Sequence, residues 1–189
     1  MEFYLGLLQI LGVHTLLGLS AYIVLLTGQV SMAQAGFYAI GAYVSAMCTA
    51  MLGLHIFPAI LIGASVTAVV ACIVAFPALR VHGLMLVVAT LAFGEIVRLF
   101  FFNLDWQTVI DGKLIGPNGA EGFRAIRFFP ENGWETGDVA GFIWIIVLCV
   151  MGILWWIDNS RAGAVLRAVG HDEIAAQSVG LNLTIIKVS

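Results

Sequence analysis

Charged residues are scarce in this sequence of 189 residues. They make up 10% of the chain, whereas an average soluble domain contains about 25%. Hydrophobic residues make up 61%. The few basic residues form no patch, which removes the electrostatic footprint of a nucleic-acid-binding protein. Because so few charges cannot cover a water-exposed surface, the sequence predicts an integral membrane protein.

Catalytic and metal-binding patterns are also missing. The chain contains no P-loop signature G-x-x-x-x-G-K-[ST], no H-E-x-x-H and no G-x-S-x-G. The cysteines lie in apolar runs without metal or redox spacing, and we expect them to pack as small apolar residues: Cys48, Cys72 and Cys149. The histidines are scattered without ligand spacing: His14, His55, His82 and His171. The sequence therefore predicts no enzyme, no metal site and no cofactor.

Long apolar runs are abundant instead. Runs of about 20 residues can cross a hydrocarbon core of about 30 Å. We find five of them: Phe3–Leu26, Met32–Met51, Phe57–Phe76, Leu84–Phe102 and Val139–Ile157. Residues 181–189 are apolar apart from Lys187 and indicate the start of a sixth span. The predicted fold class is all-α, a polytopic helical membrane protein with about five transmembrane helices in a single transmembrane domain, 1–189.

The basic residues predict the orientation, because short cytoplasmic loops carry an excess of Lys and Arg. Arg80 follows the third span, and Arg161 and Arg167 follow the fifth. Two spans separate these positions, so both lie on one side, which we predict to be the cytoplasm. The loop 103–138 then faces outward, and it holds six acidic residues against three basic ones. The N-terminus is predicted to lie outside.

The polar segment 158–180 carries its own helix signals. Ser160 or Asn159 can cap a first short helix, and Gly170 can end it. A second helix would begin at acidic residues, which suit the positive end of a helix dipole, and end before a glycine: Asp172, Glu173 and Gly180. A plain connection between spans needs no such signals, so we expect a partner to dock on this segment.

The connection between the first two spans contains polar residues. Ser31 and Gln34 have the S-x-x-Q spacing of a capping box at the start of a helix. The helix that follows is rich in Ala and Gly, which allow close helix packing. Two interpretations stay open: a helix that only packs in a bundle, or a helix whose polar start lines a translocation path together with Gln29.

One ionisable pair lies within the predicted spans. Glu95 and Arg98 are three residues apart on the fourth span, so they share a helix face. They can pair with each other or reach toward the outer headgroups. The alternative is a role in the translocation path, because charges inside a membrane often mark substrate or proton pathways.

Three segments together resemble the permease subunits of branched-chain amino-acid ABC transporters, of the LivM type. The first is Gly28-Gln-Val-Ser-Met-Ala-Gln-Ala-Gly-Phe-Tyr-Ala-Ile-Gly-Ala-Tyr43, although Ala33 stands where the family usually has Gly and Gln34 where it often has His. The second is Thr90-Leu-Ala-Phe-Gly-Glu-Ile-Val-Arg98 with Gly116-Pro-Asn-Gly119 downstream. The third is the segment from Arg161 to Gly180.

The resemblance implies a subunit of an ATP-driven importer for leucine, isoleucine or valine in the inner membrane of a bacterial cell. It implies a second permease subunit as a heterodimeric partner, cytoplasmic ATPase subunits and a periplasmic substrate-binding protein. The segment 158–180 would lie on the ATPase. The coupling residues implied there are Arg161, Arg167, Asp172, Glu173, Ala175, Ala176 and Gly180.

The family's permeases continue for several spans beyond this segment. The resemblance therefore implies that the chain corresponds to the larger, N-terminal part of such a permease and is truncated at its C-terminus. A permease for urea or short-chain amides is the alternative within the superfamily. Outside it, the alternatives are a non-functional membrane remnant and a membrane-embedded enzyme, and the missing catalytic motifs disfavour the enzyme.

Overall fold

A computed structural model describes residues 2–78, 81, 83–110, 113–124 and 128–171. The helices are α1 (Glu2–Leu26), α2 (Gln34–Ala50), α3 (Ile56–Ala78), α4 (Leu84–Phe102), α5 (Phe128–Glu131), α6 (Thr136–Asp158) and α7 (Arg161–His171). Three short strands lie between α4 and α5: β1 (Thr108–Ile110), β2 (Lys113–Pro117) and β3 (Phe123–Arg124). The predicted start of a sixth span lies outside the described residues.

Helices occupy all five predicted spans, and the all-α membrane class is confirmed. Four of them, α1, α3, α4 and α6, are long and apolar enough to cross a membrane. α2 has 17 residues, which corresponds to about 25 Å of helix and falls short of a core of about 30 Å. Pro58 lies in the first turn of α3, where its missing N–H costs nothing.

The chain divides into two compact units. Unit 1 comprises Met1–Met32, Ala75–Val88 and Thr136–Ser189, and unit 2 comprises Ala33–Val74 and Ala89–Glu135. That residues 1–189 belong to one transmembrane domain stays a prediction.

In unit 1, α1 and α6 pack along their length. A Cβ built on Gly12 would lie 2.6 Å from the Cγ2 atom of Ile143, so only glycine fits this contact without a shift. The indole Nε1 of Trp144 donates a hydrogen bond to the carbonyl oxygen of Leu8 at 3.2 Å. The C-terminal ends of both helices line one cavity. The two helices therefore run parallel.

In unit 2, α2 packs on α4. A Cβ built on Gly36 would lie 3.3 Å from the Cα atom of Gly94. Seven residues further along each helix, the ring of Tyr43 stacks on that of Phe101, with centroids 3.9 Å apart. The equal step shows that α2 and α4 run parallel and stay in register over two turns.

The segment between α4 and α6 is folded. Its strands form an antiparallel sheet in the order β1-β2-β3. The Nε2 atom of Gln107 donates a hydrogen bond to Oδ1 of Asn118 at 2.5 Å. Tyr43 of α2 meets Phe123 of β3 edge-on at 6.1 Å between centroids, and His55 meets Phe128 at 5.5 Å. These contacts tie the segment to unit 2.

We predict that Gly63→Ala lowers the stability of unit 2. A Cβ at this position of α3 would lie 2.9 Å from the backbone oxygen of Gly41, and overpacking of this kind costs about 1–3 kcal/mol. The measurement is the midpoint of thermal unfolding in detergent. Gly152→Ala is the matched control, because its Cβ would meet no atom within 4 Å. Equal midpoints for the two variants would contradict the packing described here.

Candidate functional site around the connecting loop

The connecting loop is the non-helical segment 27–33 between α1 and α2. α1 ends at Leu26, and Gly28 follows with φ +73°, a backbone conformation in which glycine avoids the strain of a side chain. The buried hydroxyl of Thr27 donates a hydrogen bond to the carbonyl oxygen of Val24 at 2.7 Å. The loop is thus held tightly to the end of α1.

The predicted capping box at the start of α2 is wrong. It requires Ser31 as the N-cap residue, but α2 begins at Gln34 with Ala33 as its N-cap. Ala33 is buried and has helical angles, and as the N-cap residue it makes no side-chain hydrogen bond of its own. α2 therefore starts two residues later than the capping box requires.

The first residue of α2 lies beside the middle of α4 and not beside the start of α4. Gly36 lies beside Gly94, so Gln34 is level with residue 92 of α4. This position is eight residues after the start of α4 at Leu84, a distance of about 12 Å along a helix. Because lipid cannot satisfy bare backbone groups, non-helical chain at such depth must be buried in protein or line a water-filled space.

The predicted path residues divide between the two units. Gln29 and Ser31 are half-buried in the connecting loop of unit 1. Gln29 lines a cavity of about 330 Å³ together with Gly28, Val30 and the first turn of α4. Gln34 is the first residue of α2 and belongs to unit 2, as do Glu95 and Arg98.

Glu95 and Arg98 pair with each other, which confirms the predicted contact. The Nε and Nη2 atoms of Arg98 donate hydrogen bonds to the two carboxylate oxygens of Glu95 at 2.9 and 2.6 Å. The guanidinium also lies 6.0 Å from the ring centre of Phe102. A two-pronged pair neutralises both charges within one turn, and this makes them tolerable inside a membrane.

α7 follows α6 after a sharp turn. Ser160 caps α7 as predicted: the backbone N–H of Ala162 donates to its Oγ at 3.2 Å. A Cβ on Gly163 would lie 2.5 Å from the carbonyl oxygen of Ile157, so the turn has room only for glycine. Val169 of α7 is fully buried within unit 1.

Arg167 holds α7 to the end of α6. Its Nη1 atom donates a hydrogen bond to the backbone oxygen of Asp158 at 2.9 Å and pairs with the carboxylate of the same residue. Arg161, at the start of α7, is exposed and lines a second cavity. The other predicted coupling residues lie outside the described residues: Asp172, Glu173, Ala175, Ala176 and Gly180.

Near its C-terminal end, α7 closely approaches the backbone of the connecting loop and of the last residue of α1. A Cβ built on Gly28 would lie 2.8 Å from the carbonyl oxygen of Gly170, and one built on Gly170 would lie 2.5 Å from the carbonyl oxygen of Leu26. The prediction that Gly170 ends the helix is wrong, since α7 runs on through His171. Gly170 serves close approach instead of helix termination.

Comparison with known proteins assigns the chain to a family. The family described as branched-chain amino acid transport system / permease component matches residues 3–189. This chain belongs to that family. Two curated relatives, from Salmonella typhimurium (strain LT2) and Escherichia coli (strain K12), are each 31% identical to it over 94% of its length. Both are named high-affinity branched-chain amino acid transport system permease protein LivM.

The chain spans 46% of the length of each of these relatives, a smaller share than the resemblance implied. No solved structure matches the chain. The described residues contain no group of three or more His, Cys, Asp or Glu side chains placed to hold a metal ion.

No prediction from the sequence singled out three residues of this site. Gly28 appeared only as part of a family motif, and Gly163 and Asp158 carried no separate prediction. A glycine directly after a helix was the available signal for Gly28. The partners of Gly28 and Gly163 are backbone atoms, which leave no trace in a sequence pattern.

We predict that Gly170→Ala separates α7 from the connecting loop. The added Cβ would collide with the carbonyl oxygen of Leu26, so the backbones must move apart. Hydrogen–deuterium exchange in detergent should show faster exchange of the loop amides in this variant. Gly141→Ala, whose Cβ would meet no atom within 4 Å, should leave the exchange unchanged. Unaltered exchange in Gly170→Ala would contradict the contact.

A second prediction concerns the ion pair on α4. Arg98→Gln leaves the Glu95 carboxylate without its partner inside the membrane, so the yield of folded, membrane-inserted protein should fall severalfold. The double variant Glu95→Gln/Arg98→Gln removes both charges and should recover most of that yield. Gel filtration of the solubilised membrane fraction measures it. A double variant as poor as the single one would show that the charges act beyond their mutual pairing.

Proposed function

We propose that this chain forms part of the transmembrane permease of an ATP-driven ABC importer for branched-chain amino acids. The backbone contact between Gly28 and Gly170 carries the structural part of this proposal. It joins α7, the helix predicted to face the ATPase, to the connecting loop, where the polar path residues begin. Family membership and the names of the relatives support the transport role and the substrate class.

The connecting loop suits a translocation path for two physical reasons. Transport proteins build membrane-depth sites from interrupted helices, because freed backbone groups and helix ends can then bind polar ligands. Here α2 starts about 12 Å along α4, and Gln29 borders a small cavity beside that loop. Gln29, Ser31 and Gln34 are the residues that we propose line the path. Glu95 and Arg98 are weaker candidates, because each already has a partner.

In the proposed coupling, α7 would transmit movement of the ATPase to the connecting loop. Its buried side packs in unit 1, and Arg167 ties it to the end of α6. The exposed side of α7, together with Asp172, Glu173, Ala175, Ala176 and Gly180, would dock on an ATPase subunit. A helix seated in a groove moves with that groove. Because Gly170 touches the connecting loop without an intervening side chain, such a movement would be passed on directly.

The remaining partners follow from the same assignment. The chain would lie in the bacterial inner membrane and pair with a second permease subunit. The segment 103–138 would face outward, where a periplasmic substrate-binding protein delivers leucine, isoleucine or valine. The segment 158–180 would face the cytoplasm. The protein itself would perform no covalent chemistry, and ATP hydrolysis would belong to the ATPase subunits.

Co-purification tests the docking of α7 and its continuation. The chain is co-expressed with a cognate ABC ATPase subunit, and one of the two carries an affinity tag. We expect the ATPase to be captured, and Asp172→Lys/Glu173→Lys to reduce capture at least tenfold by reversing the charge. Glu131→Lys/Glu135→Lys, on the predicted outer side, is the matched control. Equal capture by both double variants would reject 158–180 as the docking segment.

Uptake of labelled leucine into vesicles that contain all subunits tests whether α7 transmits movement to the connecting loop. Gly170→Ala should reduce ATP-driven uptake at least tenfold while ATPase capture persists. The substitution changes the contact between α7 and the connecting loop, and it leaves the docking surface unchanged. Gly141→Ala should transport normally. Full uptake by Gly170→Ala would refute coupling through this contact. Competition by urea or acetamide in place of leucine would favour the alternative substrate class.

A further inference from the structure

A second cavity lies in unit 1 between the C-terminal ends of α1 and α6 and the first turns of α7. Its volume is about 650 Å³, within the range of about 300–1,000 Å³ that small-molecule pockets occupy. Most of the wall is aliphatic: Ile23, Val24, Leu154, Ile157, Val165 and Leu166. The polar groups at its edge come from Thr27, Gln29 and Arg161. The cavity thus joins an apolar interior to one cationic group.

Arg161 differs from the other arginine of α7. Arg167 is paired with Asp158, whereas the side chain of Arg161 makes no hydrogen bond or ion pair with any residue that the structure describes. Its guanidinium is always charged and presents several donors in a plane, a geometry that suits a phosphate group. Arg161 is also the first residue of α7, where the helix dipole favours an anion.

Tryptophan side chains show the depth of this cavity in the membrane. Trp155 and Trp156, near the end of α6, are 71% and 70% exposed. Exposed tryptophans at the end of a transmembrane helix mark the headgroup level of the bilayer. Leu25 and Ile153, which neighbour lining residues in sequence, are more than half exposed, so large apolar side chains next to the cavity are open to the surroundings of the protein. Arg161 therefore lies where lipid phosphates lie.

We propose that this cavity binds an anionic phospholipid, with an acyl chain along the aliphatic wall and the headgroup phosphate on Arg161. The charge of Arg161 selects the headgroup, and the apolar wall selects a lipid over a free phosphate ion. The proposal is tested by lipid binding alone and does not require transport, although Gln29 and Arg161 also belong to the predicted path and coupling residues. It places a lipid directly beside the connecting loop, since Thr27 and Gln29 belong to both.

Native mass spectrometry of the purified chain tests the proposal. The protein is titrated with dioleoyl phosphatidylglycerol and, separately, with the zwitterionic dioleoyl phosphatidylcholine. One basic residue near an anionic lipid contributes about 1 kcal/mol, or about fivefold in affinity. We expect the wild type to prefer phosphatidylglycerol by about this factor. Arg161→Gln should lose the preference, and Arg161→Lys should keep most of it.

Two controls separate the headgroup from the tail. Arg167→Gln should keep the preference for phosphatidylglycerol, because Arg167 is occupied by Asp158. Val165→Trp fills the cavity and should weaken the binding of both lipids while thermal unfolding shows that the protein is folded. Inorganic phosphate at millimolar concentration should not displace the lipid.

Several outcomes would overturn the proposal. An unchanged preference in Arg161→Gln would mean that the arginine does not read the headgroup. Displacement by inorganic phosphate would identify a simple anion site. A folded Val165→Trp variant with undiminished lipid binding would show that the acyl chain lies elsewhere. Loss of a dimeric species in Val165→Trp, without any lipid effect, would assign the cavity to a second copy of the chain.

Discussion

The contact on which the site depends is an approach of two backbones without side chains between them. Gly28 and Gly170 bring the connecting loop against the end of α7. Membrane helices associate without a hydrophobic driving force, so close packing of small residues does much of the work. A glycine pair also transmits displacement more directly than a flexible side chain would. The loop and the helix are therefore packed directly on each other, as the proposed coupling requires.

The same reliance on small residues recurs in both units. The missing side chain of Gly12 leaves room for Ile143 in unit 1, and the missing side chain of Gly36 leaves room for α4 in unit 2. These contacts hold α1 parallel to α6 and α2 parallel to α4. The register of α2 on α4 places the start of α2 beside residue 92 of α4, eight residues after α4 begins. The close contact at Gly36 is thus the point at which α2 is aligned with α4.

The end of unit 1 at α7 concentrates three features that differ in chemistry. The connecting loop supplies polar groups, α7 supplies an amphipathic helix, and the cavity at Arg161 joins an apolar wall to a cation. A lipid in that cavity would border the loop that α7 also contacts. Lipid composition and ATPase movement would then act on the same few residues, which gives a physical route for the membrane to modulate the permease.

The sequence alone determined the class, the five helices and their approximate bounds, since hydrophobic length and charge scarcity act locally and leave a direct record. Local spacing was also enough for the Glu95–Arg98 pair and for the cap at Ser160. The family resemblance came from three short motifs, and comparison confirmed it.

Tertiary structure decided where α2 begins and what Gly170 does. The S-x-x-Q spacing at Ser31 predicted a helix start two residues before the one observed, whereas the actual N-cap residue is the buried Ala33. Gly170 carries the signature of a helix end but packs against Gly28, and no local pattern encodes a contact between backbones 142 residues apart in sequence. The cavity at Arg161 likewise exists only once α1, α6 and α7 meet.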